Sequence, residues 1–520
     1  MRYQQYIDGK LSSRMPVGIQ ADLSGYDLNL HQKALAEWAL RRGKAAIFAD
    51  TGLGKTRMQL AWADTLVKSV GCRVLILAPL SVAVQTAEEA KSIGIDITLC
   101  REPEDVASGI NITNYERLHK FDAHQFDAVV LDESSIIKHH TAKTFSQLTE
   151  AFAHCDYKLC ATATPSPNDY TELGTHAEFL GICTRAEMLA EYFVHDAAKT
   201  QDWRLKGHAK AVFWRWVSSW GAMVRKPSDL GFDDGAYNLP PLHIQQHTVL
   251  SDIDHANERG FLFPVEATEM QDRRDARRRS ITQRVAECIR LVQASDEKWL
   301  VWCDLNAEQD ALEAAFQQAG ISVASIRGST ELEARLELEQ SWRLGEVQVL
   351  LSKGSIFGFG MNWQHCRNMA FVGVTDSYEA YYQSVRRCWR FGQTKEVFVH
   401  IIASEAEGSV VANIKRKERD AQAMADELSA ATGQAVKESV IGQQRIFNPY
   451  QRNEAMQLPS WLISEKTSWI SSNNNQAKTG TYTTATVEKS CAAWPWARAT
   501  SWPSSSASSP TSSPKSPGRR

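Results

Sequence analysis

Apolar residues in this chain fall into short continuous runs that alternate with amphipathic stretches. Ala45-Ala46-Ile47-Phe48-Ala49 reads as a buried strand, and beyond Asp50-Thr51-Gly52-Leu53-Gly54-Lys55-Thr56 the residues Met58, Trp62 and Leu66 mark one face of a helix. Leu28, Leu30, Leu35, Trp38 and Ala39 predict a helix leading into this unit. After it come strand 73–78 and helix 82–90, strand 128–131 and helix 141–152, then strand 158–161. From about residue 282 the alternation restarts, with a helix to 292, strand 299–303, helix 307–319, strand 322–326, helix 332–342, strands 347–351 and 369–372, helix 378–389 and strand 396–402. Such alternation predicts parallel sheets covered by helices on both faces, and its restart predicts two α/β lobes.

The predicted organisation is a lead-in over residues 1–25, a first lobe over 26–185, an irregular insertion over 186–275, a second lobe over 276–445 and a tail over 446–520. The insertion carries Trp203, Trp214, Trp216 and Trp220 before a Pro240-Pro241 break. Tryptophans so spaced serve either as core or as platforms for stacked bases. Arg273-Arg274-Asp275-Ala276-Arg277-Arg278-Arg279 is the densest basic cluster, readable as a solvated helix face or as a phosphate contact.

Composition narrows the class. Hydrophobic content of 43% and charged content of 23% over 520 residues describe a globular chain with room for roughly three domains at ~150 residues each. No apolar run approaches the ~20 residues of a membrane span, and the N-terminus lacks the apolar core of a secretion signal, so a cytoplasmic protein is expected. Cys72, Cys100, Cys160 and Cys303 lie in or beside apolar runs without any C-x-x-C pair, which predicts buried thiols and no zinc. A net charge of −3 gives no global basic excess, so any nucleic acid must bind in a local groove.

The strand-loop-helix around Lys55 has the chemistry of a phosphate-binding loop. Gly52 and Gly54 let backbone N–H groups turn inward around a triphosphate, the helix N-terminus adds its positive end, Lys55 reaches the β/γ-phosphates and Thr56 can hold Mg²⁺. The run Val129-Val130-Leu131-Asp132-Glu133 ends a strand in two acids, where Asp132 can take the metal and Glu133 can orient or deprotonate the attacking water. Arg387 and Arg390 are predicted to share a helical face and to neutralise the γ-phosphate across a cleft. The second lobe has no phosphate loop of its own, which makes it a partner lobe.

These motifs, in this order, resemble helicase superfamily two and within it the Swi/Snf-like translocases, in a compact form often encoded by bacteriophages. The resemblance spans roughly residues 25–445. Gln32 looks like the family's adenine-reading glutamine, and Ala49 to Thr56 is similar to its Ala-x-x-Gly-x-Gly-Lys-Thr loop, which adds Thr51 to the nucleotide contacts. Asp132-Glu133-Ser134-Ser135-Ile136-Ile137-Lys138 resembles its Asp-Glu-Ala-His segment, with Ser134-Ser135 in place of Ala-His, and Ala161-Thr162-Ala163-Thr164-Pro165 resembles its coupling motif. Gly358-Phe359-Gly360-Met361-Asn362 is similar to the glycine-rich fifth motif, with Phe357 where a glycine usually stands, and implies Gly358 and Gly360 at the nucleotide. Gln383-Ser384-Val385-Arg386-Arg387-Cys388-Trp389-Arg390-Phe391-Gly392-Gln393-Thr394 is similar to the Swi/Snf arginine-finger segment.

What the resemblance implies is concrete: two RecA-like lobes, ATP and Mg²⁺ in the cleft, and movement on duplex DNA. Pro79, Thr113, Asn114, Ser352 and Lys353 are implied to touch the nucleic-acid backbone. An RNA- or single-strand-dependent helicase of the same fold, and an ATP-gated clamp without turnover, are the rival readings. If the chain is phage-encoded, its place is the host cytoplasm.

Past about residue 471 the chain becomes Ser/Thr/Pro-rich and too poor in apolar residues to build a core, which predicts a disordered tail. Joining the third base of each codon to the next two over 479–487 permits Trp-x-Leu-Tyr-Asn-Gly-Asp-Cys. That string resembles the opening of DNA methyltransferase domains, so the tail also reads as an out-of-frame remnant of a DNA-modifying partner.

Overall fold

The computed structural model describes residues 17–195, 203–250, 277–357, 362–373 and 377–440. Gly358, Gly360, Arg273, Arg274 and the whole serine-rich tail lie outside the described residues.

The first lobe is built on a seven-stranded parallel sheet. Its strands are β1 (Lys44–Ala49), β2 (Val74–Ala78), β3 (Ile97–Leu99), β4 (Ile110–Asn114), β5 (Ala128–Asp132), β6 (Tyr157–Thr162) and β9 (Gly221–Val224), in the order β3-β4-β2-β5-β6-β1-β9. The central strands are buried along nearly their whole length, as expected of apolar runs without alternation. Helices α1 (Leu30–Arg42), α2 (Lys55–Val70) and α3 (Leu80–Ser92) cover one face, and Trp38, Trp62 and Leu66 pack into that core. On the other face α4 (Lys143–Ala151), α5 (Leu173–Phe179), α6 (Arg185–Tyr192) and α7 (Lys210–Ser218) enclose a second core around Phe48, Phe179 and Trp220.

The second lobe repeats the plan. Strands β10 (Leu242–Val249), β11 (Trp299–Cys303), β12 (Val323–Ser325), β13 (Val349–Lys353), β14 (Asn368–Phe371) and β15 (Val397–Ser404) form a parallel sheet in the order β10-β15-β14-β11-β13-β12. Helices α8 (Ile281–Gln293), α9 (Asn306–Gln318), α10 (Leu332–Leu344) and α11 (Tyr378–Val385) flank it.

Residues 203–249 are shared between the lobes and do not stand apart as an insertion. β9 extends the first sheet beside β1, and β10 extends the second beside β15. Among the described residues, only a small antiparallel hairpin, β7 (Phe193–His195) with β8 (Trp203–Leu205), stands outside both sheets. Trp214 and Trp220 are buried first-lobe core, so they present no face to a base. Cys72, Cys100, Cys160 and Cys303 are buried free thiols. No helix among the described residues is long and apolar enough to cross a membrane.

A 33-residue helix, α12 (Gly408–Val440), ties the lobes together. Val410, Val411 and Ile414 join the second-lobe core, whereas Met424, Ala425 and Leu428 join the first. The Met223 amide donates to Thr432 Oγ1 at 2.9 Å, and Lys210 pairs with Glu427 at 2.7 Å. Near its middle, Lys417 donates to Asn168 Oδ1 at 2.9 Å, and Asn168 in turn donates to both carboxylate oxygens of Glu172, at 3.0 Å from its backbone and 2.7 Å from its side chain.

Burial pushes the Glu172 carboxyl up to about 7. The folded chain therefore holds this proton more tightly than the unfolded one, so the associated stability is complete below about pH 4.5 and is lost as pH rises through about 7. Between pH 5 and pH 8 this amounts to about 2–3 kcal/mol. Glu172→Gln is expected to flatten that part of the dependence, as read by chemical denaturation at the two pH values; an unchanged slope would show that Glu172 is not its source.

Candidate nucleotide site between the lobes

The phosphate loop links β1 to α2. Gly52 and Gly54 have φ of +90° and +80°, where a side chain is strained. Space forbids one as well: a Cβ on Gly54 would lie 2.2 Å from Gln32 Nε2, and one on Gly52 would lie 3.0 Å from Phe391 of the second lobe. Lys55 Nζ donates to the Ala49 carbonyl at 2.9 Å, folded back over the loop it serves. Burial lowers its affinity for a proton, and the nearby Glu133 and Asp132 carboxylates partly restore it.

β5 delivers the two acids. Asp132 is buried and accepts from Gln59 Nε2 at 2.7 Å, while its own carbonyl accepts from Tyr115 Oη at 2.7 Å. Glu133 follows at φ +54°, the only left-handed non-glycine backbone among the described residues. Such a conformation costs on the order of 1 kcal/mol and is found mostly where function requires it. Here it turns the carboxylate so that Oε1 accepts from Thr162 Oγ1 at 2.7 Å and from Gln383 Nε2 of the second lobe at 3.3 Å. Burial raises both carboxyl pKa values.

The arginines arrive differently from the sequence expectation. α11 stops at Val385, so Arg387 and Arg390 sit in successive turns and do not share a helical face. Tertiary bonds set the turns: the Trp363 amide donates to the Arg387 carbonyl at 2.9 Å, and Gln393 Nε2 donates to the Cys366 and Cys388 carbonyls at 3.1 and 3.3 Å. The outcome still brings both guanidinium groups to the cleft. A cavity of about 430 Å³ is lined by Thr51, Gly52, Gly54, Lys55, Thr56, Asp132 and Glu133 from one lobe and by Gln383, Arg387 and Arg390 from the other.

Residues 31–215 match the SNF2-related domain, and residues 283–392 match the helicase conserved C-terminal domain. The first lobe thus carries the SNF2-related match and the second the helicase C-terminal match, and the two lobes are called by those names below. A 116-residue stretch is 25% identical to ATP-dependent DNA helicase Q-like 2 of Arabidopsis thaliana, covering 22% of this chain and only 16% of that relative. Among solved structures, the Sulfolobus solfataricus SWI2/SNF2 ATPase core in complex with dsDNA aligns over 81% of this chain and 96% of that one, at 18% identity and a TM-score of 0.37.

Other expected contacts are distributed unevenly over the SNF2-related and helicase C-terminal domains. Gln32 lines the cavity, but its amide is engaged: Nε2 donates to the Leu53 carbonyl at 3.0 Å, and Oε1 accepts from the Asn29 amide at 3.0 Å. Of the residues expected at nucleic acid, Thr113, Asn114 and Ser352 are buried and bond internally, to the Cys100 carbonyl, the Arg117 amide and the Ile326 carbonyl. Pro79 lines a second inter-lobe cavity of about 460 Å³, and Lys353 is partly exposed beside Asn306. In the basic cluster, Arg277 is spent on Asp304 and Glu407, whereas Arg278 and Arg279 are exposed.

Sequence reasoning missed the residues that join the domains around the loop. Asp50 is ion-paired with Arg386 and accepts from Tyr382 Oη; Lys138 is ion-paired with Glu379. Tyr237, which precedes β10, lines the nucleotide cavity and packs on Phe391 at 4.7 Å. Asp50, Lys138, Arg386 and Phe391 lay inside recognised motifs as unassigned positions, whereas Tyr237, Glu379 and Tyr382 lay outside them.

Proposed function

We propose that this chain is an ATP-dependent translocase on duplex DNA. The observation that supports it best is the convergence of Lys55, Asp132 and Glu133 from one domain with Arg387 and Arg390 from the other on one cavity. The cavity is complete only while the domains are together, so hydrolysis and domain movement are linked.

In this reading the loop N–H groups and Lys55 bind the β- and γ-phosphates of ATP, releasing the Lys55 amine from the Ala49 carbonyl. Thr56 and Asp132 offer the hard oxygen donors that suit Mg²⁺, which when bound neutralises phosphate charge. Glu133, held by Thr162 and Gln383, aligns water for in-line attack and takes its proton. Arg387 and Arg390 stabilise the charge that builds on the transferring group. Because Gln383 touches Glu133 from across the cleft, loss of the γ-phosphate is transmitted to the helicase C-terminal domain. The SNF2-related match and the segment from Gln383 to Thr394 favour duplex DNA as the track.

Steady-state ATP hydrolysis tests the reading, with no nucleic acid, duplex DNA, single-stranded DNA or RNA added. Duplex DNA is expected to stimulate turnover, the effect vanishing in Lys55→Ala. Stimulation by RNA or single strands alone would replace it with the corresponding helicase, and binding without turnover would leave a clamp. ATP-driven displacement of a triplex-forming strand then separates translocation from unwinding.

A further inference from the structure

Three arginines lie within five residues of one another in the helicase C-terminal domain, and they divide into two groups. Arg387 and Arg390 line the nucleotide cavity; Arg386 does not. Its side chain is 4% exposed and reaches the outer wall of the phosphate loop. Nε donates to Thr51 Oγ1 at 2.7 Å, Nη2 pairs with Asp50, and Nη1 is held by the Trp389 carbonyl at 3.2 Å. The guanidinium packs between the Tyr382 and Trp389 rings, 5.6 and 4.7 Å from their centroids. Tyr382 Oη donates to the other Asp50 oxygen, which also accepts from the Thr51 amide at 2.7 Å.

We infer that Arg386, with Tyr382, is a positioning residue that seats the helicase C-terminal domain on Asp50 and Thr51, so that domain closure and the shape of the phosphate loop are set by one contact. The inference rests on the proposed ATPase reading and adds a link to it. A loop that could be shaped by ATP alone needs no partner from the other domain. In this chain the first two loop residues carry one, and it is a fixed fork whose donors match a carboxylate and a neighbouring hydroxyl. Because aromatic rings and a carbonyl already fix the guanidinium, little ordering is lost when the domains meet. Once formed, the pair is shielded from solvent, so its removal leaves a buried group without its counter-charge. Closure is thereby favoured before the γ-phosphate is bridged, and Arg387 and Arg390 reach the cavity already oriented by the adjacent turn.

The test is a double-mutant cycle on the full chain with two readouts. Arg386→Gln and Asp50→Asn are each expected to lower kcat about tenfold, and the double variant by about the same tenfold, since either change breaks the same unit. Energy transfer between dyes at Lys91 and Glu346, one exposed site on each domain, is expected to fall in both variants without nucleotide. Multiplied effects approaching a hundredfold, or unchanged transfer in folded Asp50→Asn, would overturn the inference. The dye readout needs no turnover, so a wild-type chain that fails to hydrolyse ATP would refute the proposed function while the domain contact is still judged.

Discussion

Alanine at Arg387 is expected to lower kcat by about 10³-fold or more, with ATP affinity changed only severalfold. The asymmetry follows from where each group comes from. The phosphate loop, Lys55 and Thr56 all belong to the first lobe, so under the proposed function they hold the nucleotide without help from the second. Arg387 comes from the far wall, is buried there, and meets the site through closure. Its contribution is therefore greatest when negative charge spreads over the transferring phosphoryl group. Arg390→Ala is expected to act in the same direction. Titration with a fluorescent ATP analogue beside steady-state kinetics separates the two quantities. A kcat within threefold of wild type would remove Arg387 from the catalytic machinery.

Glutamine at Glu133 is expected to reduce kcat by about 10²–10⁴-fold while ATP still binds, because the amide keeps the shape and loses the base. Burial raises the Glu133 carboxyl pKa, against which Lys55 pulls it down. The base form is deprotonated, so turnover should rise with pH along an acid limb displaced upward from the ordinary carboxylate range. In Glu133→Gln that limb should disappear from whatever activity remains. A variant retaining both the rate and the limb would place the base elsewhere. Threonine at 162 and glutamine at 383 share the Oε1 oxygen, so their removal should misalign Glu133 without abolishing it.

Much of this architecture was legible in the sequence. Residues 45–49 and Met58, Trp62 and Leu66 predict β1 and α2, and β5 ends at Asp132 with Glu133 following, as expected of an apolar run closed by two acids. β1, β2 and β5 are buried on both faces and are written as apolar runs, so they announce themselves, whereas the equally buried β4 carries Asn111, Thr113 and Asn114 and does not. Of the edge elements, β12 was predicted over 322–326, but three strands were not. β3 is three residues long, β9 four, and the half-exposed β10 has polar residues along it, so none rises above the surrounding loop. The charged helix α12 carries periodicity, but nothing in its order of residues says that its two ends pack against different lobes.

The site divides along the same line. Glycine spacing, a lysine after the second glycine, paired acids at a strand end and spaced arginines are local patterns whose chemistry follows from residue type, and the sequence by itself determined them. The course of the chain after Val385 is decided by bonds from Trp363 and Gln393, which override the helical pattern expected through Trp389. The pairing of Asp50 with Arg386 joins positions 336 residues apart, and the burial of Thr113, Asn114 and Ser352 depends on neighbouring strands. Local order specifies which groups can do chemistry; only the docking of two sheets specifies which of them meet, because contact, burial and shared hydrogen bonds are properties of distance in space and not of distance along the chain.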